Sequence, residues 1–417
     1  MDFSAGPLDG LRIVDLTSII MGPFATRILG DYGADVIKVE PLGGDSTRFY
    51  RPSRSGDMSG TSLNLNRNKR SITLDLKHPS GKDVLEKIVK SADVLIHSMR
   101  PKAIARLGFG YDRVRALNPD IVYCGAYGFG ADGPYADMPA YDDTIQAASG
   151  ISALYERMNG APAYIPTVLC DKLAGQAIAH GVLAALVQRF RGGGGQAVEV
   201  PMFETAVEFF LIEHLVGATF EPPLGEAGYG RLLTAFRRPY RVRDGYAAVV
   251  PYTDKNWSDI FDFAGRPGIL QNPKFRTLPD RVENIEELYS LLTELVRAYT
   301  LKELKEVCEA NQIPFMPVMS FDDVMADEHI KAVGMFTTAV HPSEGAYRSV
   351  RQPIRFSGSK FAIRRYAPKL GENFGEILSE LGYGPDEIAK LGERHLPGNG
   401  GAATAGEDAS ALMERQA

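Results

Sequence analysis

The feature that most constrains the fold is the regular alternation of short apolar stretches with helical stretches along the first 130 residues. The segments between the apolar stretches carry apolar residues at helical spacing, most clearly the segment that starts at Pro79. Strands separated by helices are joined by right-handed crossovers. The sequence therefore predicts an α/β fold with a mostly parallel sheet covered by helices on both faces. The strands are predicted at residues 11–16, 34–39, 71–76, 92–96 and 121–124.

The remainder of the chain changes character and indicates a second, smaller module. One long helix is predicted over 172–190, and the glycine run 192–195 ends it. In the module that follows, Asp244-Gly245 predicts a hairpin turn between two short strands. Strand and helix patterns then resume over about 350–392. Further helices are predicted in the module at about 256–263, 284–298 and 301–310.

Charge and cysteine content restrict the compartment and the partners. The net charge is −6 and no basic face stands out, so no nucleic-acid partner is predicted. Three cysteines, an odd number without close pairing, indicate free thiols in a reducing compartment. The sequence has neither a leader pattern nor a run of about 18 apolar residues. These features predict a cytoplasmic protein with no membrane partner.

A glycine motif at 128–133 invites a dinucleotide-binding interpretation, but the residues after it do not fit. The motif matches G-x-G-x-x-G and follows a strand. The dinucleotide loop requires a helix that begins at the motif, and Pro134 and Pro139 leave no room for one. We therefore predict a polar turn.

Two other catalytic classes lack their motifs. The seven histidines are scattered and no Cys-x₂-Cys pair is present, so no metal site is predicted. No G-x-S-x-G motif is present either, which disfavours a serine hydrolase. A mechanism based on a carboxylate gains weight by this elimination.

Ten spaced motifs give the chain a recognisable family pattern from about residue 7 to 392. They read PLDGLRIVDL (7–16), MGP (21–23), GADVIKVEP (33–41), NKRSITLD (68–75), RPKAIARLG (100–108), GFGADGPY (128–135), AYD (140–142), CDKLAG (170–175), IPFMPV (313–318) and APKLGE (367–372). In this order they resemble the class III CoA-transferase family, which includes formyl-CoA transferase.

The resemblance implies a fold and an assembly. It implies a Rossmann-like large domain built from both ends of the chain and an inserted small α+β domain. Two such chains would form an interlocked homodimer, each threading the ring of the other. The domain boundaries expected on this basis are 1–222 and 326–395 for the large domain, 228–325 for the small domain and 396–417 for a flexible tail.

The resemblance also implies the chemistry, with Asp171 at the position of the catalytic aspartate. The carboxylate would attack an acyl-CoA donor, form an acyl-aspartyl anhydride and then an aspartyl-CoA thioester, and pass CoA to an acceptor acid. Asp171 alone would otherwise be interpreted as the N-cap of the 172–190 helix. We expect both roles together, with the helix start keeping the carboxylate ionised. No tightly bound cofactor is expected, since the CoA thioester is a co-substrate.

Five positions match the CoA contacts of the family: Ile20, Arg70, Ala103, Arg106 and Leu107. The two arginines are expected to pair with CoA phosphates, because a guanidinium matches phosphate geometry. Two departures disfavour the formyl/oxalyl substrate pair. Ile20 stands where formyl-CoA transferase has a glutamine, and the tetraglycine loop of that enzyme is absent from the small domain.

Two alternatives stay open. An α-methylacyl-CoA racemase would need a histidine where this chain has Tyr141, beside Asp142, and a tyrosine of ordinary pKa near 10 is a poor base at neutral pH. A non-catalytic CoA-binding protein would not need Asp171. For the transferase, Arg237 or Arg238 is predicted to hold the second carboxylate of a dicarboxylic acceptor, with succinyl-CoA or a similar thioester as the donor.

Overall fold

The structure, a computed structural model, describes residues 6–397 and divides into two compact units. Among the described residues, the large unit contains 6–149, 165–207 and 331–397. The small unit contains 150–164 and 208–330. The predicted tail, 396–417, lies outside the described residues except for its first two positions.

A six-stranded parallel sheet forms the centre of the large unit, as the alternation of strands and helices predicts. The strands are β1 (Arg12–Leu16), β2 (Asp35–Glu40), β3 (Lys69–Thr73), β4 (Val94–His97), β5 (Val122–Tyr127) and β6 (Gln196–Pro201). Their order across the sheet is β3-β2-β1-β4-β5-β6, so the order reverses between β1 and β4. In such sheets ligands bind outside the carboxyl ends of the strands, at the point of reversal.

Helices connect and cover these strands. Pro79 is the first residue of its helix, as predicted, and the 128–133 motif is a turn with no helix beginning in it. The helices in this part of the chain are α1 (Met21–Asp31), α2 (Gly60–Leu65), α3 (Pro79–Lys90), α4 (Pro101–Leu107), α5 (Tyr111–Leu117), α6 (Asp142–Ser149), α7 (Ile151–Asn159), α8 (Leu169–Gln188) and α9 (Met202–His214).

The core of the large unit lies between the sheet and its helices. Val14, Ile37, Ile72 and Leu95, one from each of four adjacent strands, are 0–1% exposed. The apolar side of α3 packs in the same cluster. Burial of such side chains contributes about 1.5–3 kcal/mol each, which holds the carboxyl ends of the strands in a fixed arrangement.

The small unit contains a three-stranded antiparallel sheet with helices around it. Its strands are β7 (Tyr240–Val242), β8 (Gly245–Val249) and β9 (Phe315–Pro317), and the turn between the first two is the predicted hairpin at Asp244-Gly245. Trp257, Phe261 and Leu288 are buried in the core of this unit. The helices that follow β8 are α10 (Asp254–Phe263), α11 (Leu278–Glu283), α12 (Ile285–Val296), α13 (Leu301–Ala310), α14 (Phe321–Ala326) and α15 (Glu328–Ala332).

The chain then completes the large unit. Glu380 of α16 forms an ion pair with Arg70 of β3, which ties this last segment to the sheet. The remaining elements are β10 (Phe336–His341), β11 (Gly345–Val350), α16 (Phe374–Glu380) and α17 (Pro385–His395).

The boundaries of the small unit differ from those expected from the sequence, 228 and 325. The unit starts earlier, at Glu208, and also includes 150–164 with helix α7. Long-range contacts within the unit explain the difference, because Nη1 of Arg157 on α7 donates a hydrogen bond to the carbonyl of Ala227 at 2.8 Å. A composition change marks a loop, whereas a unit boundary depends on contacts between distant segments.

Candidate active site

The predicted nucleophile lies in the first turn of α8. Val168 is the N-cap and makes no side-chain capping bond, so Asp171 is the third residue of the helix. The prediction that Asp171 is the N-cap of a helix starting at Lys172 is therefore wrong, and the helix begins three residues earlier. Peptide N–H groups in a first turn have no partner within the helix, so they need one from outside.

Asp142, the first residue of α6, supplies that partner. Its Oδ1 accepts a hydrogen bond from the backbone N–H of Asp171 at 2.9 Å. A carboxylate at this place also meets the positive end of the helix dipole. Asp142 is 5% exposed, and its Oδ2 accepts a hydrogen bond from Nε2 of Gln146 at 2.6 Å. Two aspartates that are far apart in sequence are thus brought together, one by its backbone and one by its side chain.

The environment of Asp171 changes its acidity. Burial, followed by the negative charge of Asp142, raises the pKa of Asp171 to about 7, and Lys172 opposes this only in part. The expectation that the helix start keeps this carboxylate ionised is therefore wrong, because desolvation outweighs the dipole. Near neutral pH both the carboxylate and the acid are populated, and a carboxylate of raised pKa is a stronger nucleophile than an ordinary one.

The neighbouring thiol is not a competing nucleophile. Burial, with the charges of Asp142 and Asp171, raises the pKa of Cys170 to about 12. A thiol is nucleophilic only as the thiolate. Cys170 is 0% exposed and remains a protonated packing residue.

Two tyrosines adjoin the acidic pair. Tyr141 precedes α6, and its backbone N–H donates to Oγ1 of Thr144 at 2.9 Å. Partial burial, followed by the charges of Asp45 and then Asp171, raises the pKa of Tyr50 against an opposing hydrogen bond with Ser46, so its hydroxyl stays protonated and can donate a hydrogen bond. Both side chains are exposed, at 39% for Tyr50 and 50% for Tyr141, and are therefore accessible to a ligand.

The loop between β1 and α1 carries Ile20, the N-cap of α1. The buried ion pair between Lys38 and Asp45 stabilises this loop. Ile19 has φ of 69°, a left-handed conformation that is strained for a β-branched residue. Its backbone N–H donates to Asp45, 3.1 Å from Oδ2. Lys38 Nζ donates to the same carboxylate at 3.0 Å and to the carbonyl of Thr17 at 2.9 Å. These bonds fix the loop in a conformation that its sequence alone would not favour.

This loop lies at the point where the strand order reverses. The backbone N–H of Ser18, after β1, donates to Oγ of Ser98, after β4, at 3.4 Å. The loop after β4 leads directly into α4, which carries Ala103, Arg106 and Leu107. Because β1 and β4 are adjacent and parallel, Ile20 and α4 share one edge of the sheet.

α1 packs closely against α8, and this contact brings the carboxyl edge of the sheet near Asp171. Gly175 lies one turn after Asp171, and a Cβ at this position would be 2.8 Å from the carbonyl oxygen of Met21 and from Cδ1 of Phe24. Only glycine allows α1 and α8 to approach this closely. The structure thus brings together Asp171, Asp142, Tyr141 and the segment that carries Ile20.

Arg70 contradicts its predicted role. The side chain is 3% exposed and lies on β3 among the carboxylates of Asp35, Glu376 and Glu380. All five of its N–H groups are directed to these acids, at 2.6–3.3 Å. An arginine with every donor committed has none for a phosphate. Arg106, on α4, is exposed, and its pairing with a CoA phosphate stays a prediction.

The two arginines of the predicted acceptor site lie in the small unit. Arg237 and Arg238 are exposed and precede β7 in a turn where the N–H of Arg237 donates to the carbonyl of Thr234 at 3.1 Å. Their role in substrate binding stays a prediction.

Over residues 6–397, no cluster of three or more His, Cys, Asp or Glu side chains is arranged to hold a metal ion. Across the same residues, no helix has the length and apolar character needed to cross a membrane.

Comparison with known proteins decides the family. The model of CoA-transferase family III matches residues 8–374. The chain belongs to CoA-transferase family III. Members of this family are enzymes. Their substrates are an acyl-CoA thioester and a carboxylic acid, and they transfer CoA between the two.

Individual relatives share about a third of the residues over nearly the full length. An acyl-CoA transferase of Fusarium pseudograminearum is 32% identical over 94% of this chain and 88% of its own. A succinate–glutarate CoA-transferase of Agrobacterium fabrum is 30% identical over 90% of this chain and 96% of its own. A formyl-CoA:oxalate CoA-transferase of Rhodopseudomonas palustris is 31% identical over 92% and 96%.

A solved structure supports the fold. A CaiB/BaiF family protein from Brucella suis superposes with a TM-score of 0.75 at 29% identity, over 90% of this chain and 99% of its own. The α/β fold predicted for family III is thereby confirmed.

Sequence reasoning missed two residues of the site. Gln146 follows Asp142 by four positions, so the two share one face of α6, and this spacing was the available signal. Tyr50 follows a short helical turn at Ser46–Phe49, and nothing in its local sequence points toward Asp171.

Proposed function

We propose that this enzyme moves CoA from an acyl-CoA donor to a small carboxylic acid through covalent intermediates on Asp171. The observation that carries the proposal is the partly buried carboxylate in the first turn of α8, whose pKa is raised to about 7 by burial and by Asp142. Simple binding of CoA would not require a carboxylate kept basic in this way.

The steps conserve the thioester energy. An oxygen of Asp171 adds to the donor thioester carbonyl, and the C–S bond breaks to give an acyl-aspartyl anhydride and the CoA thiolate. The thiolate then attacks the aspartyl carbonyl, releases the donor acid and leaves an aspartyl-CoA thioester. The acceptor carboxylate then attacks this thioester, which releases the CoA thiolate and forms a second anhydride. The thiolate attacks the acceptor carbonyl, so that the new acyl-CoA leaves and the carboxylate of Asp171 is regenerated. Positioning of the reacting groups can supply roughly 7–11 kcal/mol of the acceleration.

We place CoA along the sheet edge where the strand order reverses. Ile20, Ala103 and Leu107 would contact its apolar parts, and Arg106 would pair with a phosphate. The partial exposure of Ile20, Ala103 and Leu107 and the exposure of Arg106 support this placement.

For the acceptor we propose a small dicarboxylic acid such as glutarate, itaconate or citramalate, with succinyl-CoA as donor. The name of the Agrobacterium relative supports this choice. The formyl-CoA:oxalate relative is equally similar, but Ile20 stands where formyl-CoA transferase has a glutamine, which disfavours the formyl/oxalyl pair and favours these five-carbon dicarboxylates. A panel of acids and acyl-CoA donors, analysed by the mass of the new thioester, tests it. Transfer only to monocarboxylic acids would refute the assignment of Arg237 and Arg238.

Replacement of the nucleophile tests the mechanism. Asp171→Asn is expected to lower kcat by on the order of 10⁴-fold while CoA binding persists, because only the attacking group is lost. Wild-type enzyme trapped with hydroxylamine during turnover should carry a modified Asp171 by peptide mass spectrometry. Asp143→Asn, an exposed aspartate beside Asp142, is the matched control and should stay active. Full activity in Asp171→Asn would refute the proposal.

The alternative activity is α-methylacyl-CoA racemisation. Tyr141 stands where a racemase would have its histidine, which disfavours the alternative. Incorporation of solvent deuterium at the α-carbon, without any exchange of CoA between acids, would support it. A non-catalytic CoA-binding role, the second alternative, predicts neither reaction.

We also propose that the enzyme is an interlocked homodimer, as family resemblance implies. Exposed apolar side chains on α9 support an interface, since Phe209 is 49% and Ile212 is 77% exposed in the single chain.

A further inference from the structure

Gln146 is a buried amide that joins the two segments around the acidic pair. Its side chain is 0% exposed. Nε2 donates to Oδ2 of Asp142 at 2.6 Å, and Oε1 accepts from the backbone N–H of Ile165 at 2.8 Å. Nε2 also lies 3.3 Å from the carbonyls of Ile165 and Thr167, in the segment that enters α8. One side chain thus links α6 to the start of the helix that bears Asp171.

The two ends of the amide are not interchangeable. If the amide were turned over, its oxygen would face the carboxylate of Asp142 and its NH₂ would face the N–H of Ile165. Both contacts would be repulsive. The observed orientation therefore fixes Asp142 Oδ2, which in turn leaves Oδ1 directed at the backbone N–H of Asp171.

Asp142 influences Asp171 in two ways from this position. It satisfies a first-turn N–H of α8, and its charge acts on the carboxyl group of Asp171. The other ionisable groups near Asp171 are Lys172 and Cys170 on α8 and Tyr50. Lys172 Nζ donates to Oγ1 of Thr167 at 2.6 Å, and Cys170 and Tyr50 remain neutral, so Asp142 is the group that raises the pKa beyond the effect of burial.

We propose that Gln146 is a positioning residue for catalysis, which holds Asp142 at the place from which it both caps α8 and faces Asp171. The proposal rests on the function proposed for Asp171. It assigns to Gln146 control over the placement and the acidity of the nucleophile, without any contact with substrate.

The first test is Gln146→Met, which keeps the length of the side chain and removes its hydrogen bonds. Asp142 then either turns away or takes up a proton, and both outcomes remove negative charge from beside Asp171. The pKa of Asp171 should fall below 7, so the acid limb of the kcat/KM profile should move to lower pH. Misplacement of the nucleophile should lower kcat by about 10²-fold.

The second variant, Gln146→Glu, gives a signature that a purely structural role would not. A protonated carboxyl group can still donate to Asp142 and accept from Ile165, whereas the ionised form repels Asp142. Activity relative to Gln146→Met should therefore be higher at acidic pH, and this advantage should be lost as the new carboxyl group ionises. Equal defects in both variants at every pH would overturn the proposal.

Gln352→Met is the matched control for loss of a buried amide. Gln352 is 4% exposed, its Nε2 donates to the Tyr32 hydroxyl at 2.7 Å, and its Oε1 accepts from the N–H of Ile354. It should lose stability to a degree similar to Gln146→Met, with an unchanged pH profile. A shift of the profile in this control would assign the effect to general loosening of the fold and refute a positioning role.

A readout independent of activity separates this proposal from the proposed function. ¹³C NMR of enzyme labelled at aspartate carboxyl carbons, with Asp171→Asn used to assign the signal, titrates Asp171 directly. An unchanged titration in Gln146→Met would overturn the positioning role even in an active transferase. A shifted titration without any trapped intermediate on wild-type Asp171 would support the positioning geometry and refute the transferase mechanism.

Discussion

Asp171, the proposed nucleophile, has a carboxylate whose environment would favour the chemistry and opposes folding. Burial and the charge of Asp142 make its carboxylate more basic and so more nucleophilic. The same two influences penalise the ionised form in the folded protein. In the unfolded chain the group titrates near its usual value of 3.8, so ionisation opposes folding at neutral pH.

Asp171→Asn should therefore stabilise the protein in a pH-dependent way. The cost of the raised pKa is absent below about pH 4, grows between pH 4 and 7 and is complete above pH 7. At pH 8 the variant should be more stable than wild type by on the order of 2 kcal/mol, after allowance for partial exposure. Urea unfolding at pH 8 and pH 5 measures this. An advantage that is larger at pH 5 would contradict the shift.

At the scale of elements, buried ion pairs join segments that the sheet alone would leave apart. Lys38 with Asp45 supports the loop after β1, and Arg70 joins β3 to β2 and to α16. Removal of one partner leaves a charge without compensation, which is costly where the site is buried. Arg70, one of the two arginines predicted to bind CoA phosphates, thus stabilises the fold.

Arg70→Met and Arg106→Met should affect different properties, the first stability and the second the KM for acyl-CoA. Arg70→Met should lower the free energy of unfolding by about 1–3 kcal/mol, because it removes several charge-assisted hydrogen bonds. Its KM for acyl-CoA should stay close to that of wild type. Arg106→Met, an exposed change on α4, should raise KM and leave stability unchanged. Denaturant unfolding and steady-state kinetics on both variants distinguish a structural role of Arg70 from a role in binding CoA. A KM effect confined to Arg70→Met would restore the phosphate-binding role.

At the scale of the whole molecule, the chain leaves the large unit at 150 and again at 208, contributes both segments to the small unit, and returns at 165 and 331. A chain that returns in this way can enclose a segment of another copy, which is the arrangement that we propose for the dimer. Interlocked rings cannot separate without unfolding, whereas an ordinary dimer dissociates and reassociates at rates set by its interface.

Subunit exchange tests the interlocked dimer. Native mass spectrometry should find twice the mass of the 45.5 kDa chain. When ¹⁵N-labelled and unlabelled enzyme are mixed, hybrid dimers should not form over hours under native conditions. They should form after unfolding and joint refolding, which is the positive control. Rapid formation of hybrids in the native mixture would rule out interlocking, and a monomer mass would rule out the dimer.

Much of the candidate site could be predicted from the sequence, because its positions belong to short motifs. Asp171, Tyr141 and Asp142 lie in such motifs, and Gly175 completes the same one as Asp171. The motifs could not show that Asp142 binds the backbone of Asp171, since 29 positions separate the two residues. For Gln146 the sequence offered only its spacing of four positions from Asp142 on one helix. Such spacings are common, so they are weakly informative.

By itself the sequence determined the types of the elements, the parallel sheet and the family, because hydrophobic periodicity and short motifs are local properties. The tertiary structure alone decided the strand order, the unit boundaries, the pairing of Arg70 with three carboxylates and the raised pKa of Asp171. These depend on burial and on distances between residues remote in the chain. Electrostatic energies vary with both quantities, and neither is encoded in local spacing.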